Sequence, residues 1–395
     1  MKVLPYSRQK IDQTDIKSVI QVLKSDFLTQ GSMVPKFEKL VSKKIGSKYA
    51  VALNSATSAL HVGCMSLNIK KGDIVWTSAN SFVASINCAK YLGAKIDLID
   101  IDKDTFNLST NELKKKLLLA KKNRKLPKLI IIVHFAGLSC DLKEIYKLSK
   151  KYKFKIIEDA SHAIGSKYYK DKIGNCKYSD ITVFSFHPVK IITSGEGGMC
   201  LTNNKILRDK MLLFRSHGIT KDYKLFKKKR FQNPWYYEQQ TLGYNYRMSD
   251  IHAALGISQL TKLDKFVKER NKIAKNYFKI LKNLPIILPK NPKGLLSSFH
   301  LFIIRINFKK TKKTYNELFD YLRKKKLWVN LHYLPIYSHP YYNKNFNKKN
   351  FQNMETYYKS SISIPIYPGL TSKEQNYIKK TLEKFFNEKK ESFGT

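Results

Sequence analysis

The sequence predicts an α/β fold, with a mostly parallel sheet covered by helices on both faces and a smaller C-terminal α/β domain. Three observations predict it. Short apolar runs at 74–77, 96–101, 129–135, 155–158 and 181–186 alternate with helical patterns, and a helix between successive strands makes them parallel. Pro285, Pro289 and Pro292 then break the chain, and strand and helix patterns resume at 300–307, 315–326, 327–332, 361–365 and 372–386. The hydrophobic fraction, 43% of 395 residues, suits one large core and a lesser one. The expected division is 1–265 and 266–395.

Taken in order, a first helical pattern starts at Asp12 with Ile16, Val19, Ile20 and Leu23, and a second carries Phe37, Leu40, Val41 and Ile45. Phe27-Leu28-Thr29-Gln30-Gly31 between them reads as an ordered helix-to-helix loop. A strand at 49–54 runs into Asn54-Ser55-Ala56-Thr57-Ser58, where small hydroxylated residues start a helix. Those residues fit a plain N-cap, and they equally fit an anion cradle of free N–H groups at a positive helix end. After the βα alternation come a strand at 199–202 and a helix ending near Phe214. Residues 221–237 are basic, aromatic and aperiodic, which reads as a long loop. A helix then starts near Ser249 and is expected to continue to about Leu284.

Charge and cysteine usage narrow the function classes. The chain carries 74 Lys+Arg against 30 Asp+Glu, a net charge of +44. Such an excess can bind polyanions. Here it is almost all lysine, spread along the whole chain with abundant Ile and Asn, which points to compositional bias rather than a reading surface. No nucleic-acid module is evident. The basic runs 224–230 and 309–313 read as solvated loops. No specific nucleic acid, membrane or metal partner is expected. Cys64, Cys88, Cys140, Cys176 and Cys200 are scattered and form no C-x-x-C pair, so reduced, buried thiols are expected. The N-terminal MKVLPYSRQK has no signal-peptide core and no apolar run is long enough for a membrane helix, so the expected location is cytoplasmic.

Open α/β sheets bind ligands off the carboxyl ends of their strands. His134, Asp159, His162, Ser185, His187 and Lys190 all follow apolar strand runs. Lys190 stands between one such run and Gly195, Gly197 and Gly198, which permit unusual backbone angles. Alone, Lys190 is one lysine among many, Asp159 fits a turn cap as well as a ligand, and His162 fits a buried rim position. Together, a lysine and an aspartate on successive strand ends and an anion-cradling helix start are the parts that pyridoxal phosphate requires.

NSATSAL at 54–60, SFVASIN at 81–87, EDASHAIGS at 158–166, FSFHPVKIITSGEGG at 184–198 and GYNYRMSDIHAALGISQL at 243–260 occur in that order. They resemble the DegT/DnrJ/EryC1/StrS family of sugar aminotransferases. The resemblance implies the type I fold of pyridoxal 5′-phosphate enzymes, with a seven-stranded sheet, residues 1–265 as the cofactor-binding domain, and a homodimer with shared active sites. It implies that Lys190 binds the cofactor as an imine and that Asp159 holds its protonated ring nitrogen. Phe82 would stack on the ring, with His162 beside it. Ala56, Thr57 and Ser185 would hold the phosphate, and Asn245 would reach the cofactor phosphate of the neighbouring subunit.

LTQG at 28–31, SFHPVK at 185–190 and HYLPIY at 332–337 are similar to family members of the pseudaminic acid (nonulosonate) pathway. Those members aminate the C4 ketone of a UDP-linked 4-keto-6-deoxy-N-acetylhexosamine. The similarity implies substrate contacts at Tyr6, Asp26, Phe27, Leu28, Thr29, Ala56, Ser185, Asn245, His332, Tyr333 and Leu334, although a lysine can occur in place of Leu334. Glutamate would be the amino donor, with Arg247 a candidate for its carboxylate. A GDP- or dTDP-linked keto sugar is the alternative substrate. A 3-dehydratase is the alternative reaction, which Lys190 opposes because dehydratases of the family replace that lysine with histidine.

Overall fold

The computed structural model describes residues 2–227 and 233–388. Residues 228–232, which fall in the predicted loop 221–237 and include the last three positions of the basic run 224–230, lie outside the described residues. The strands of the main sheet are β1 (Tyr49–Leu53), β2 (Ile74–Ser78), β3 (Lys95–Ile99), β4 (Leu129–Val133), β5 (Lys155–Asp159), β6 (Ile181–Ser185) and β7 (Gly198–Thr202). Among the described residues they form one seven-stranded sheet in the order β1-β7-β6-β5-β4-β2-β3. All pairings are parallel except those of β7, which runs antiparallel to both β1 and β6. The antiparallel strand was not legible from its sequence, and it places Gly198, its first residue, at the edge where β6 ends.

Packing explains the apolar strands. Ile130 and Ile132 of β4 join one apolar cluster, while Leu129 and Ile131 join another on the opposite face. A strand buried on both faces reads as a continuous apolar run with side chains alternating between two cores. The helices of this part include α1 (Gln13–Leu23), α2 (Met33–Ile45), α3 (Ala56–Ser66), α4 (Ala84–Lys90), α5 (Thr110–Lys122), α6 (Leu142–Tyr152) and α7 (Lys205–Arg215). Asp12 and Asp15 cap α1 reciprocally, which fixes its start where the sequence placed it. The five cysteines are buried free thiols. No helix among the described residues is long and apolar enough to cross a membrane.

The predicted helix from Ser249 to about Leu284 is two helices, α8 (Asp250–Thr261) and α9 (Leu263–Ile280). They break at Lys262, whose ammonium pairs with Asp12 and Asp15 at 2.6 and 2.8 Å. No glycine or proline marks the break, so the sequence hides it. Beyond α9, a short strand (Ile286–Ile287), β8 (Phe302–Ile306) and β9 (Ser361–Ile364) make an antiparallel sheet. Helices α10 (Tyr315–Lys324), α11 (Gln352–Tyr358) and α12 (Ser372–Asn387) complete this part, α11 being too short to show a period in sequence. Its core includes Ile273, Tyr277, Phe302, Leu322 and Phe385, with Leu4 of the N-terminal arm. Leu4–Pro5 pairs in parallel with Leu327–Trp328, which is all that remains of the strand predicted at 327–332.

Phe37 of α2 is fully buried against Phe186, ring centroids 5.1 Å apart. A Cβ at Gly256 of α8 would lie 2.6 Å from its ring. Phe37→Ala is expected to destabilise the fold by about 3–5 kcal/mol, read as a lowered midpoint in urea unfolding.

Candidate active site

Strands β5 and β6 end in Asp159 and Ser185, and β1 ends just before Asn54. These ends open on a cavity of roughly 780 Å³. Tyr6, Ala56, Thr57, Phe82, Asp159, His162, Ser185, Lys190, His332 and Tyr333 line it. Of the other residues picked out from the sequence, Asp26, Phe27, Leu28, Thr29, Asn245, Arg247 and Leu334 do not.

Asp159 is 6% exposed and accepts three hydrogen bonds. Ser85 Oγ donates to Oδ2 at 2.5 Å, while Ser161 donates to Oδ1 from its hydroxyl at 2.6 Å and from its N–H at 3.1 Å. Every one of these bonds is donated to it, the acceptor-only pattern of a carboxylate. Neither serine was singled out from sequence. Ser161 was within reach as the i+2 partner of an aspartate turn; Ser85 sits in the SFVASIN motif, but it comes from a helix far along the chain and nothing in that motif pairs it with Asp159.

The Lys190 backbone N–H donates to His187 O at 2.9 Å, while its side-chain amine has no hydrogen-bonded partner among the described residues. Burial lowers its pKa from the ordinary 10.5 to about 8, against a smaller opposing pull from Asp159. The amine therefore spends an appreciable fraction of its time neutral near pH 7, which a base or nucleophile requires. Its backbone is tied down from afar. The Ser7 hydroxyl donates to Val189 O at 3.0 Å, and Arg270 donates to Ser7 Oγ at 3.4 Å. Arg270 is fully buried in α9 and also donates to the carbonyls of Phe299, His300 and Ile366, at 3.1, 3.3 and 2.8 Å.

Four histidines stand around Lys190, and burial holds each below its ordinary pKa: the exposed His187 below, the buried His162 and His300 well below, and His332 at about 3. His162 Nδ1 accepts from the Ala136 N–H at 3.3 Å. Its proton is therefore on Nε2, 3.1 Å from the Tyr333 hydroxyl, which accepts it and keeps its own proton for the cavity. His300 went unnoticed in the sequence because it precedes a strand with no motif around it. His134, flagged at a strand end, points elsewhere: it is fully buried, bonded through Nε2 to Glu158 at 2.8 Å.

At the opposite wall α3 begins. Its N-cap Ser55 accepts from the Ser58 N–H at 3.1 Å, and the Ser55 carbonyl accepts from Ala59 N–H at 3.0 Å. The N–H groups of Ala56 and Thr57 have no partner among the described residues, and the hydroxyl of Ser185 donates to none. Strand β7 passes so close beneath that a Cβ on Gly198 would fall 2.3 Å from Ser55 O and 2.4 Å from Ala56 N. Glycine is required there. The result is an anion cradle at a positive helix end. With Asp159, a lysine of lowered pKa and the exposed ring of Phe82, this donor set fits pyridoxal phosphate.

The sequence profile of the DegT/DnrJ/EryC1/StrS aminotransferase family matches residues 9–383. A Campylobacter jejuni protein named UDP-4-amino-4,6-dideoxy-N-acetyl-beta-L-altrosamine transaminase is 40% identical over 381 residues, 96% of each chain. Among solved structures, Helicobacter pylori PseC is described as an aminotransferase involved in the biosynthesis of pseudoaminic acid. It matches with a TM-score of 0.87 at 32% identity, over 98% of this chain and 99% of that one. The PLP-form of Spr1654 from Streptococcus pneumoniae matches with a TM-score of 0.86 at 26% identity, over 97% and 98%.

The depressed lysine has a measurable consequence. Only the neutral Lys190 amine can attack an aldehyde, so covalent capture of pyridoxal phosphate by the apoprotein is expected to speed up with rising pH and level off above about 8. Stopped-flow absorbance reads this rate. A profile still climbing towards 10.5, the ordinary lysine value, would show that the amine is not desolvated.

Proposed function

The chain belongs to the DegT/DnrJ/EryC1/StrS aminotransferase family, and from that premise we propose that it aminates the C4 ketone of a UDP-linked 4-keto-6-deoxy-N-acetylhexosamine, a step of pseudaminic acid biosynthesis. It is a pyridoxal phosphate-dependent enzyme. The observation that carries the reading is the meeting of Lys190, Asp159 and the unpaired N–H groups of α3 in one cavity. The substrate class is supported by the transaminase relative, matched over nearly its whole length.

Pyridoxal phosphate supplies an electron sink and carries the amino group from donor to acceptor. The chain's own groups do the rest. The N–H groups of Ala56 and Thr57 and the Ser185 hydroxyl hold the phosphate. Asp159, kept in place by Ser85 and Ser161, keeps a proton on the ring nitrogen. Phe82 supplies an aromatic face and His162 flanks the ring as a neutral group. Lys190 Nζ, once free, takes a proton from Cα of the donor, which we take to be glutamate, and later delivers one to sugar C4. Both transfers use an amine whose pKa of about 8 lies near working pH.

We take the sugar to enter past Tyr6, His332 and Tyr333, all on the cavity wall. Leu334 stands next to that segment, off the cavity. Asp26, Phe27, Leu28, Thr29 and Asn245 lie off this chain's cavity, and Phe27 and Leu28 are exposed. This supports a homodimer in which they complete the partner's site, with Arg247 a candidate for the donor carboxylate. We further take 1–265 as the cofactor-binding domain and 266–395 as the smaller one, in a cytoplasmic enzyme.

Two outcomes test this reading. The loaded protein is expected to absorb in the visible through its link to Lys190, and Lys190→Ala should lose that band and all transamination. Offered a panel of UDP-, GDP- and dTDP-linked 4-keto sugars with glutamate, the enzyme should aminate the UDP-linked N-acetyl sugar fastest. Preference for either other nucleotide would refute the substrate assignment.

A further inference from the structure

Asp250 opens α8 and is 1% exposed, yet among the described residues no ion pair includes it. Its carboxylate is spent on another part of the chain. Gly31 N–H donates to Oδ2 at 2.5 Å and Val34 N–H donates to Oδ1 at 2.8 Å. Asp250 N–H in turn donates to Leu28 O at 3.0 Å. One residue therefore makes three hydrogen bonds to the segment 28–34, more than 200 residues away in sequence. A buried carboxylate without a cation is tolerable when backbone N–H groups donate to both of its oxygens, and here they do.

The segment depends on this contact. Ser32, the N-cap of α2, makes no side-chain cap bond, so the Asp250 carboxylate supplies the anion at that helix start. Gly31 is fitted to it: a Cβ there would fall 2.7 Å from Asp250 Oδ2 and 2.7 Å from Phe27 Cβ. The clamp holds Leu28 by its carbonyl, with Phe27 and Leu28 exposed at 62% and 46%. Ile16, Ile20 and Leu23 of α1 add exposed apolar surface. Asn245, also exposed and off the cavity, lies five residues before Asp250 on the same chain segment.

We propose that Asp250 is a positioning residue for the nucleotide-sugar site of the partner subunit: it locks the loop Asp26–Thr29 onto the start of α8, so that this loop is presented to the second copy of the chain as a rigid unit. The proposal rests on the reading above of a dimer with shared sites. Asp250 touches neither cofactor nor sugar. Its contribution is to sugar binding, and the reaction with the amino donor proceeds without it.

The test uses the loaded enzyme and Asp250→Asn, which turns one acceptor oxygen into an NH2 group facing a backbone N–H. The variant is expected to keep the wild-type cofactor absorbance and the wild-type rate of reaction with glutamate alone, while KM for the UDP-keto sugar rises about tenfold or more, the scale of losing buried charge-assisted hydrogen bonds. A merely structural role would weaken both half-reactions together. Gly31→Ala, which attacks the clamp from the loop side, should reproduce the effect and serves alone if Asp250→Asn does not fold. Hybrid dimers then assign the subunit. Co-expressed with Lys190→Ala, the Asp250→Asn chain contributes the working lysine and receives an intact loop, so the hybrid should regain the wild-type KM. Asn245→Ala paired with Lys190→Ala is the reference. If that pair regains activity but the Asp250→Asn hybrid keeps its raised KM, Asp250 serves its own subunit and the proposal is overturned. If neither pair recovers, the shared-site reading falls, and the proposal with it. An unchanged KM in the Asp250→Asn homodimer overturns it outright.

Discussion

A partly desolvated amine at the edge of a sheet is the constraint on which this structure turns. Desolvation makes the Lys190 amine reactive, and desolvation disfavours charge. Every neighbour that stood its own charge beside it would alter that balance. The structure answers by ringing the lysine with His162, His300 and His332, each held neutral by burial, and by satisfying Asp159 through two serines instead of a cation. The fixed positive charge needed for an anion comes from a helix end, whose backbone N–H groups cannot titrate.

Holding that arrangement takes contacts from both ends of the chain. Arg270 in α9 gathers the carbonyls of Phe299, His300 and Ile366 and, through Ser7, the backbone before Lys190. Burial pulls its pKa down to about 9, and carbonyl oxygens stand where a buried guanidinium would ordinarily find a carboxylate. A cation solvated by carbonyls draws the N-terminal arm, α9 and the C-terminal strands together without placing a negative charge near the lysine. Asp250 is the mirror case on the outer face, a carboxylate solvated by N–H groups. In both, a buried charge is matched by backbone dipoles from distant segments, and the geometry of a site is fixed as a result.

Much of this was legible in the sequence, for definable reasons. Period-two alternation is lost in strands buried on both faces, but apolar runs such as Leu129–Val133 between helical patterns still announce a parallel sheet. Lys190, Asp159 and the Ser55 helix start were legible because strand ends and caps carry local signals. The long-range partners were not. Nothing in Ser85 foretells Asp159, nothing in Arg270 foretells Ser7, and the break at Lys262 depends on acids at Asp12 and Asp15 rather than on a helix breaker. The antiparallel β7 was hidden likewise, since nothing in its five residues, GMCLT, marks a direction. Gly198 held its clue, a glycine where a strand passes under a helix start, but the need for it shows only once Ser55 is in place.

The central claim is that one lysine in a chain crowded with them is chemically distinct because the fold partly desolvates it. Borohydride reduction of the loaded protein, followed by proteolysis and mass spectrometry, asks this most directly. A single pyridoxyl group on the peptide containing Lys190 is the predicted result. Label distributed over several surface lysines, or absent from the Lys190 peptide, would contradict it.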